Sequence, residues 1–144
     1  MGNPKVSSKV QAVVSWYGPL EDFLKMDEEL ANSGMGVPNH STSDSPESRL
    51  LGSPITQSPG RVKNASPMTY IKRYTPPFFI QHGLKDEIVP VEQSIHFAEH
   101  FARIAGLEKI TFEILKDAKH ADPLFDTPEN IQKAFDFLDA HLKK

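Results

Sequence analysis

Residues 77–90, which read PFFIQHGLKDEIVP, constrain the fold more than any other part of the chain. They begin as a short apolar strand, place Asp86 in a turn, and continue into a helix that Pro90 can open. The same order recurs at residues 109–120, where an apolar strand leads into a loop that carries His120. An acid and a histidine therefore each follow a strand, 34 positions apart (120 − 86), which leaves room for one strand–helix–strand crossover.

The remaining elements predict an α/β fold. Residues 10–16 form a short, mostly apolar run with β-branched valines that is typical of a strand buried on both faces of a parallel sheet. Residues 91–105 and 127–142 have apolar side chains at helical spacing, the latter with Thr127 as N-cap and Ile131, Phe135, Leu138 and Leu142 as the apolar stripe. The predicted order is strand, long insertion, strand, helix, strand, helix. This alternation indicates about three parallel strands joined by right-handed crossovers, with the third strand at a sheet edge.

The insertion after the first strand covers about residues 20–75. Residues 21–31 have a loose helical pattern, and residues 46–52 can form one short helix. Otherwise residues 32–67 are crowded with Ser, Pro, Gly and Asn and have no sustained period. A connection of this length is typical of a lid or binding loop, or of a disordered segment.

Composition excludes several classes of partner. The chain has 144 residues, about one domain, with a net charge of −3, so it has no basic field for nucleic acid or an anionic membrane. No run approaches the roughly 18 apolar residues that span a bilayer. The sequence contains no cysteine, which excludes disulfides, thiolate metal sites and a cysteine nucleophile. This suits a reducing compartment and slightly favours the cytoplasm, while the localisation stays open.

Asp86 and His120 are the candidate catalytic residues. A histidine that takes a proton from a hydroxyl nucleophile needs a carboxylate at its other ring nitrogen. Taken singly, a turn aspartate and a surface histidine explain these residues equally well, but together and after adjacent strands they predict an acid–base pair. Trp16 and Tyr17 follow the first strand, where they can line a substrate pocket, and core packing accounts for them equally well.

The other histidines do not indicate a site. His82 ends a strand, which favours a hydrogen-bonded packing role. His96 and His100 have the i, i+4 spacing of a zinc-ligand pair, but the intervening glutamate is adjacent to the second histidine, unlike the His-Glu-x-x-His motif. His40 and His141 have no favourable context. We therefore expect no metal and no cofactor.

Four stretches carry a family resemblance: SPESRLLG at residues 45–52, ASPMTYI at 65–71, PPFFIQHG at 76–83 and DEIVP at 86–90. Together they resemble the C-terminal half of bacterial α/β-hydrolase esterases and lipases. The closest branch is the group related to prolyl oligopeptidases, which includes acetyl-xylan and feruloyl esterases. The likeness extends from about residue 10 to residue 142. It implies a partial α/β-hydrolase fold in which Asp86 is the acid and His120 the base of a serine hydrolase triad that acts on a small ester.

The nucleophile is the missing part of this pattern. Gly-x-Ser-x-Gly occurs nowhere in the chain, and neither does the His-Gly-Gly-like oxyanion loop of these esterases. We expect residues 1–144 to be the C-terminal part of a serine carboxylic-ester hydrolase, without the N-terminal half that bears the nucleophile, and inactive alone. The alternative is a truncated, non-catalytic interaction module. Loss of the preceding strands also predicts an open edge at residues 10–16 and a homo-oligomer, unless residues 1–9 or the insertion cover that edge.

Overall fold

The computed structural model describes residues 5–143, and its centre is a parallel sheet. Strands β1 (Val13–Trp16), β2 (Phe78–Gly83) and β3 (Ile110–Leu115) lie side by side in chain order. Residue Val13 pairs with Phe78, which in turn pairs with Ile110. The α/β class, the parallel pairing and the edge position of β3 are therefore as predicted.

Five α-helices accompany these strands in the described part of the chain. They are α1 (Met26–Ser33), α2 (Pro46–Leu51), α3 (Pro59–Ala65), α4 (Glu92–Ala105) and α5 (Pro128–Leu142). The first three belong to the insertion, whereas α4 and α5 follow β2 and β3. Among residues 5–143, no helix is long and apolar enough to cross a bilayer.

Helix α4 forms the main core with the sheet. Phe97 and Phe101 are buried and pack with Phe78 and Ile80 of β2. The stripe predicted from the sequence included the buried residues Val91, Ala98 and Ala105, together with Ile95 and Ala102, but omitted both phenylalanines. Helix α4 ends at Gly106, whose φ of 110° is easily reached only by glycine.

Helix α5 begins as predicted but faces the sheet differently. The Thr127 hydroxyl caps it by accepting from the Asn130 backbone N–H. The expected buried stripe is wrong, since Phe135 is 57% exposed and Leu142 is 52% exposed. Instead Asn130 is buried and Phe137 packs on Phe79, with ring centroids 5.6 Å apart. Among the described residues the sheet ends at β1, so it has no surface on which Phe135 and Leu142 can pack.

The insertion has more regular structure than its composition predicts. The short helix expected at residues 46–52 is α2, but α3 was not predicted. The insertion also has its own core, in which Met26, Ile55 and Val62 are at most 1% exposed. That core includes Val89 from the loop after β2. The insertion is therefore ordered by burial of large apolar side chains, although its sequence has no hydrophobic periodicity. Several short helices each contribute one or two of these side chains to the core.

Strand β1 is shorter and more open than expected. It starts at Val13 rather than at residue 10, and Val10 is 53% exposed. Its four residues are half-buried rather than buried on both faces. Among residues 5–143 it pairs only with β2, which leaves the other edge of β1 available.

We propose that two copies of the chain pair through this edge of β1 about a two-fold axis. Unpaired backbone groups along a sheet edge favour addition of another strand. Light scattering at micromolar concentration is expected to give the mass of a dimer, and Val13→Lys to give a monomer.

The matched control is Thr111→Lys, on the exposed side of the opposite edge strand, which should leave the dimer intact. A monodisperse monomer of the unmutated chain contradicts this proposal.

Candidate active site

The carboxylate of Asp86 lies in the loop after β2 and is fully saturated with donors. Its Oδ1 accepts from the backbone N–H groups of Ile88 and Val89, each at 2.9 Å. Its Oδ2 is 2.9 Å from His120 Nδ1 and 3.2 Å from His82 Nε2. The side chain is 0% exposed. This loop therefore fixes one buried carboxylate in one orientation.

The pKa of the Asp86 carboxyl lies below its ordinary value. Burial acts to raise the pKa, but the hydrogen bonds from His82, Ile88, His120 and Val89 stabilise the anion and outweigh it. Asp86 is therefore ionised at neutral pH, as an acceptor for an imidazole N–H must be.

His120 lies in the loop after β3, beside Asp86. The hydrogen bond expected from the sequence is present, between His120 Nδ1 and Asp86 Oδ2. Backbone contacts hold the two loops together, since Leu84 N–H donates to Leu115 O and Lys85 N–H donates to Ala118 O, both at 3.0 Å. The His120 side chain is 24% exposed, so solvent reaches it although Asp86 is covered.

Two ion pairs also join the loops at the surface. Lys85 Nζ lies 2.6 Å from Asp117 Oδ1, and Lys119 Nζ lies 3.2 Å from Glu87 Oε2. Because these groups are exposed and screened by solvent, each pair contributes little to stability. The backbone contacts and the buried carboxylate therefore dominate the geometry.

Gly83 allows the two loops to approach. A Cβ atom at this position would lie 2.3 Å from the Ala118 carbonyl oxygen and 3.0 Å from that of Lys119. Only a residue without a side chain fits between the end of β2 and the loop that carries His120.

Tyr17 and Trp16 lie on the same side as His120. The Tyr17 ring packs edge-on against the imidazole, with centroids 4.8 Å apart, and against Phe125 at 4.7 Å. Its backbone has φ 44°, a left-handed conformation that a bulky residue adopts only when its surroundings hold it. The Trp16 ring packs against Phe125, and its buried Nε1 has no hydrogen-bond partner among residues 5–143. Tyr17 thus contacts the candidate base directly, whereas Trp16 lies behind Phe125.

His82 has a larger part in the site than the sequence indicated. It is fully buried, as the packing interpretation requires, and its Nδ1 lies 2.7 Å from Ser94 Oγ. Its Nε2 lies 2.9 Å from the Val89 carbonyl oxygen, in addition to its contact with Asp86. Because both neighbours of Nε2 are acceptors, Nε2 carries the proton and Nδ1 accepts from Ser94. In the sequence, the i, i+4 spacing of His82 and Asp86 was the feature that could have indicated their contact.

His40 is a second residue that sequence analysis missed. It is buried, with Nδ1 3.0 Å from Glu47 Oε2 and Nε2 2.8 Å from the carbonyl oxygen of Ile88. The hydrogen bond to Glu47 is the main reason that the pKa of His40 is raised. Burial acts to raise the pKa of Glu47, but its bond to His40 and other hydrogen bonds lower the pKa overall. The hydrogen bond from His40 to Ile88 joins the insertion to the loop of Asp86, and the ion pair with Glu47 orients the His40 ring for it.

The effect of Gly83→Ala tests the close approach of the loops. The new Cβ has to displace the Ala118 carbonyl, so we expect a loss of about 1–3 kcal/mol in the free energy of unfolding, measured by urea denaturation. Gly60→Ala in α3 is the control, because a Cβ there meets no atom within 4 Å. The control should cost nothing, and equal effects of the two substitutions would contradict the steric explanation.

The His40–Glu47 pair predicts a pH window of stability. The raised pKa of His40 contributes stability that is complete below the unfolded value of 6.5 and is lost as pH rises through the folded value. The lowered pKa of Glu47 contributes stability that is present above 4.5 and is lost as pH falls through the folded value.

The destabilisation caused by His40→Gln should therefore be largest between pH 4.5 and 6.5 and should shrink on either side. Denaturation midpoints across that range provide the measurement. Asn39→Ala, which removes no titratable group, should have the same effect at every pH. A pH-independent effect of His40→Gln would count against the ion pair.

The chain is similar in sequence and structure to esterases and related hydrolases. A truncated carbohydrate esterase from gut microbiota has 30% sequence identity and a TM-score of 0.77 over 95% of this chain and 44% of that one. A bifunctional GH43-CE protein of Bacteroides eggerthii has 28% identity and a TM-score of 0.78 over 97% of this chain and 17% of its own. An acylaminoacyl peptidase with 20% identity and a TM-score of 0.67 shares the fold.

The curated relatives include Esterase LipQ of Mycobacterium tuberculosis, 32% identical over 88% of this chain. The probable carboxylic ester hydrolase LipM of the same organism is 29% identical over 83% of this chain. The chain spans 27% and 26% of their lengths, respectively. The BD-FAE family model matches residues 2–101, which include Asp86. The family model covers more than half of the chain, and the fold and the relatives agree with it. The chain therefore belongs to the BD-FAE family of α/β-hydrolase esterases.

Proposed function

We propose that this chain supplies the acid and the base of a serine carboxylic-ester hydrolase. His120 is the general base that takes a proton from a serine hydroxyl and later returns it to the leaving alcohol. Asp86 holds the imidazole in place and stabilises its charged form. The observation that carries this proposal is the 2.9 Å hydrogen bond between Asp86 and His120 in adjacent loops beyond a parallel sheet.

The protonation pattern supports these roles. Because Asp86 is ionised and accepts at Oδ2, the neutral His120 ring carries its proton on Nδ1. Its Nε2 then has a free lone pair, which is the atom that a general base uses. The partial exposure of His120 gives this nitrogen a route to a nucleophile and a substrate.

The nucleophile has to come from outside these 144 residues. The chain lacks Gly-x-Ser-x-Gly, and it covers only about a quarter of LipQ and LipM. We infer that a segment bearing the serine and the oxyanion donors completes the site beside His120. The chain alone then provides an aligned acid–base pair but no acyl acceptor.

The substrate class that we propose is a small carboxylic ester, with Tyr17 and Trp16 on its binding side. Tyr17 contacts the His120 ring, so a group bound next to that imidazole also meets the tyrosine. The Nε1 donor of Trp16 is buried beside Phe125 without a hydrogen-bond partner among residues 5–143, which suits a polar atom from the completed site. The relatives described as carbohydrate esterase and carboxylic ester hydrolase favour this class.

A chimera tests the proposal. This chain replaces the segment of LipQ that aligns with it, and hydrolysis of p-nitrophenyl acetate is measured. We expect His120→Ala to lower kcat by about 10⁴-fold or more, and Asp86→Asn by about 10⁴-fold, as in other triads. His141→Ala, far along α5, should leave the rate unchanged.

The isolated chain should not hydrolyse the same ester above background, because the nucleophile and the oxyanion donors supply most of the rate. Turnover by the isolated chain that disappears with His120→Ala would contradict this expectation and place a nucleophile within residues 1–144. A folded, active chimera whose rate is insensitive to His120→Ala would instead favour a non-catalytic interaction module.

A further inference from the structure

A second cluster of titratable groups lies where the insertion meets helix α4, apart from the loops that hold Asp86 and His120. It consists of Glu21, Glu29 and His96. Glu21 Oε2 lies 2.7 Å from His96 Nδ1, and Glu29 Oε1 lies 3.5 Å from the same nitrogen. One oxygen from each carboxylate and one imidazole nitrogen thus converge within 4.8 Å of one another.

The carboxylate of Glu29 is incompletely satisfied in this cluster. Its residue is only 9% exposed, and Oε2 accepts a hydrogen bond from Gln93 at 2.8 Å. Its Oε1, the oxygen that faces His96, is buried without a hydrogen-bond partner among residues 5–143. A buried anionic oxygen without a donor is costly unless a cation lies next to it.

The surroundings hold the two acids in position. Gln93 is fully buried, accepts from the Glu21 backbone N–H at 3.0 Å and donates to Glu29. Lys25 forms an ion pair with Oε1 of Glu21, which leaves Oε2 directed at His96. One buried amide therefore fixes the Glu29 carboxylate and the backbone of Glu21, as the second layer of a metal site commonly does.

The cluster is also open to solvent on one side. The His96 side chain is 43% exposed. A surface cavity of about 240 Å³ is lined by Glu21, His96 and residues of the exposed face of α4. An ion can therefore enter from solvent without unfolding the insertion.

We propose that Glu21, Glu29 and His96 bind a divalent transition-metal ion, of which Zn²⁺ is the best match. Zinc accepts imidazole nitrogen and carboxylate oxygen at about 2.0–2.2 Å, which separates neighbouring ligand atoms by about 3–3.5 Å. The distance of 3.5 Å between His96 Nδ1 and Glu29 Oε1 already matches this spacing. The distance of 2.7 Å between His96 Nδ1 and Glu21 Oε2 has to lengthen slightly when the metal ion replaces the proton between them. An all-oxygen cation such as Ca²⁺ suits the imidazole less well.

The ion's role in this arrangement is structural. Glu21 and Glu29 belong to the start of the insertion, whereas His96 belongs to α4, which packs on the sheet. A bound ion therefore joins two segments that are about 70 positions apart in sequence, in the folded state only. The i, i+4 spacing of His96 and His100 does not identify this site, because His100 contacts Arg103 and is not part of the cluster.

Calorimetric titration of the 144-residue chain with Zn²⁺, after treatment with a chelator, tests this proposal. We expect one ion to bind per chain, and Tm to rise by about 5–10 °C at a free zinc concentration 100 times Kd. Glu29→Gln, which keeps the size of the side chain, and His96→Gln should each weaken binding at least about 10-fold.

The matched control is His141→Gln in α5, outside this cavity, which should leave the affinity unchanged. If Glu29→Gln fails to fold, His96→Gln still tests the proposal, because the His96 side chain is partly exposed and its replacement should not prevent folding. Absence of zinc binding by the unmutated chain would overturn the proposal, and the three groups would then be a hydrogen-bonded ion cluster. Binding that survives His96→Gln would also overturn it, since the ion would then lie at another site.

Discussion

The buried carboxylate of Asp86 is the interaction on which the geometry of this chain depends. Two backbone amides and two imidazoles converge on it, from three different parts of the chain. A fully buried anion without these donors would cost several kcal/mol, so the loop after β2 has one low-energy arrangement. Each donor is in turn held by other contacts, such as that of His82 with Ser94 of α4. The position of His120 is a consequence of this network rather than a property of its own loop.

The insertion also contacts the loop that holds Asp86. Val89, which donates to Asp86, is also a member of the insertion's apolar core. The His40 ring donates from Nε2 to the carbonyl of Ile88, and Gly36 allows the Glu87 carbonyl to approach closely, since a Cβ there would lie 2.3 Å away. These contacts make the insertion a support for the loop that bears the acid.

The sequence was sufficient for the order of the strands, for the helices after β2 and β3, and for the pairing of Asp86 with His120. These follow from local periodicity and from the rule that parallel strands end on one edge. The hydrogen-bonded packing role of His82 was also predicted, whereas the role of His40 was not, because His40 depends on a partner that only the tertiary fold brings to it, the carbonyl of Ile88. The exposed Phe135 was misplaced for a related reason, since the sequence does not tell which strands lie opposite a helix. The approach of Glu21 and Glu29 to His96 spans about 70 positions and has no local signature.

The contacts that align Asp86 with His120 all lie within residues 5–143. Rotation of the imidazole is restricted by the carboxylate on one side and by the Tyr17 ring on another. The conformational entropy of this alignment is therefore lost when these residues fold, and not when a nucleophile or an ester arrives. The acid and the imidazole are thus aligned before any serine-bearing segment of the kind proposed above docks beside them.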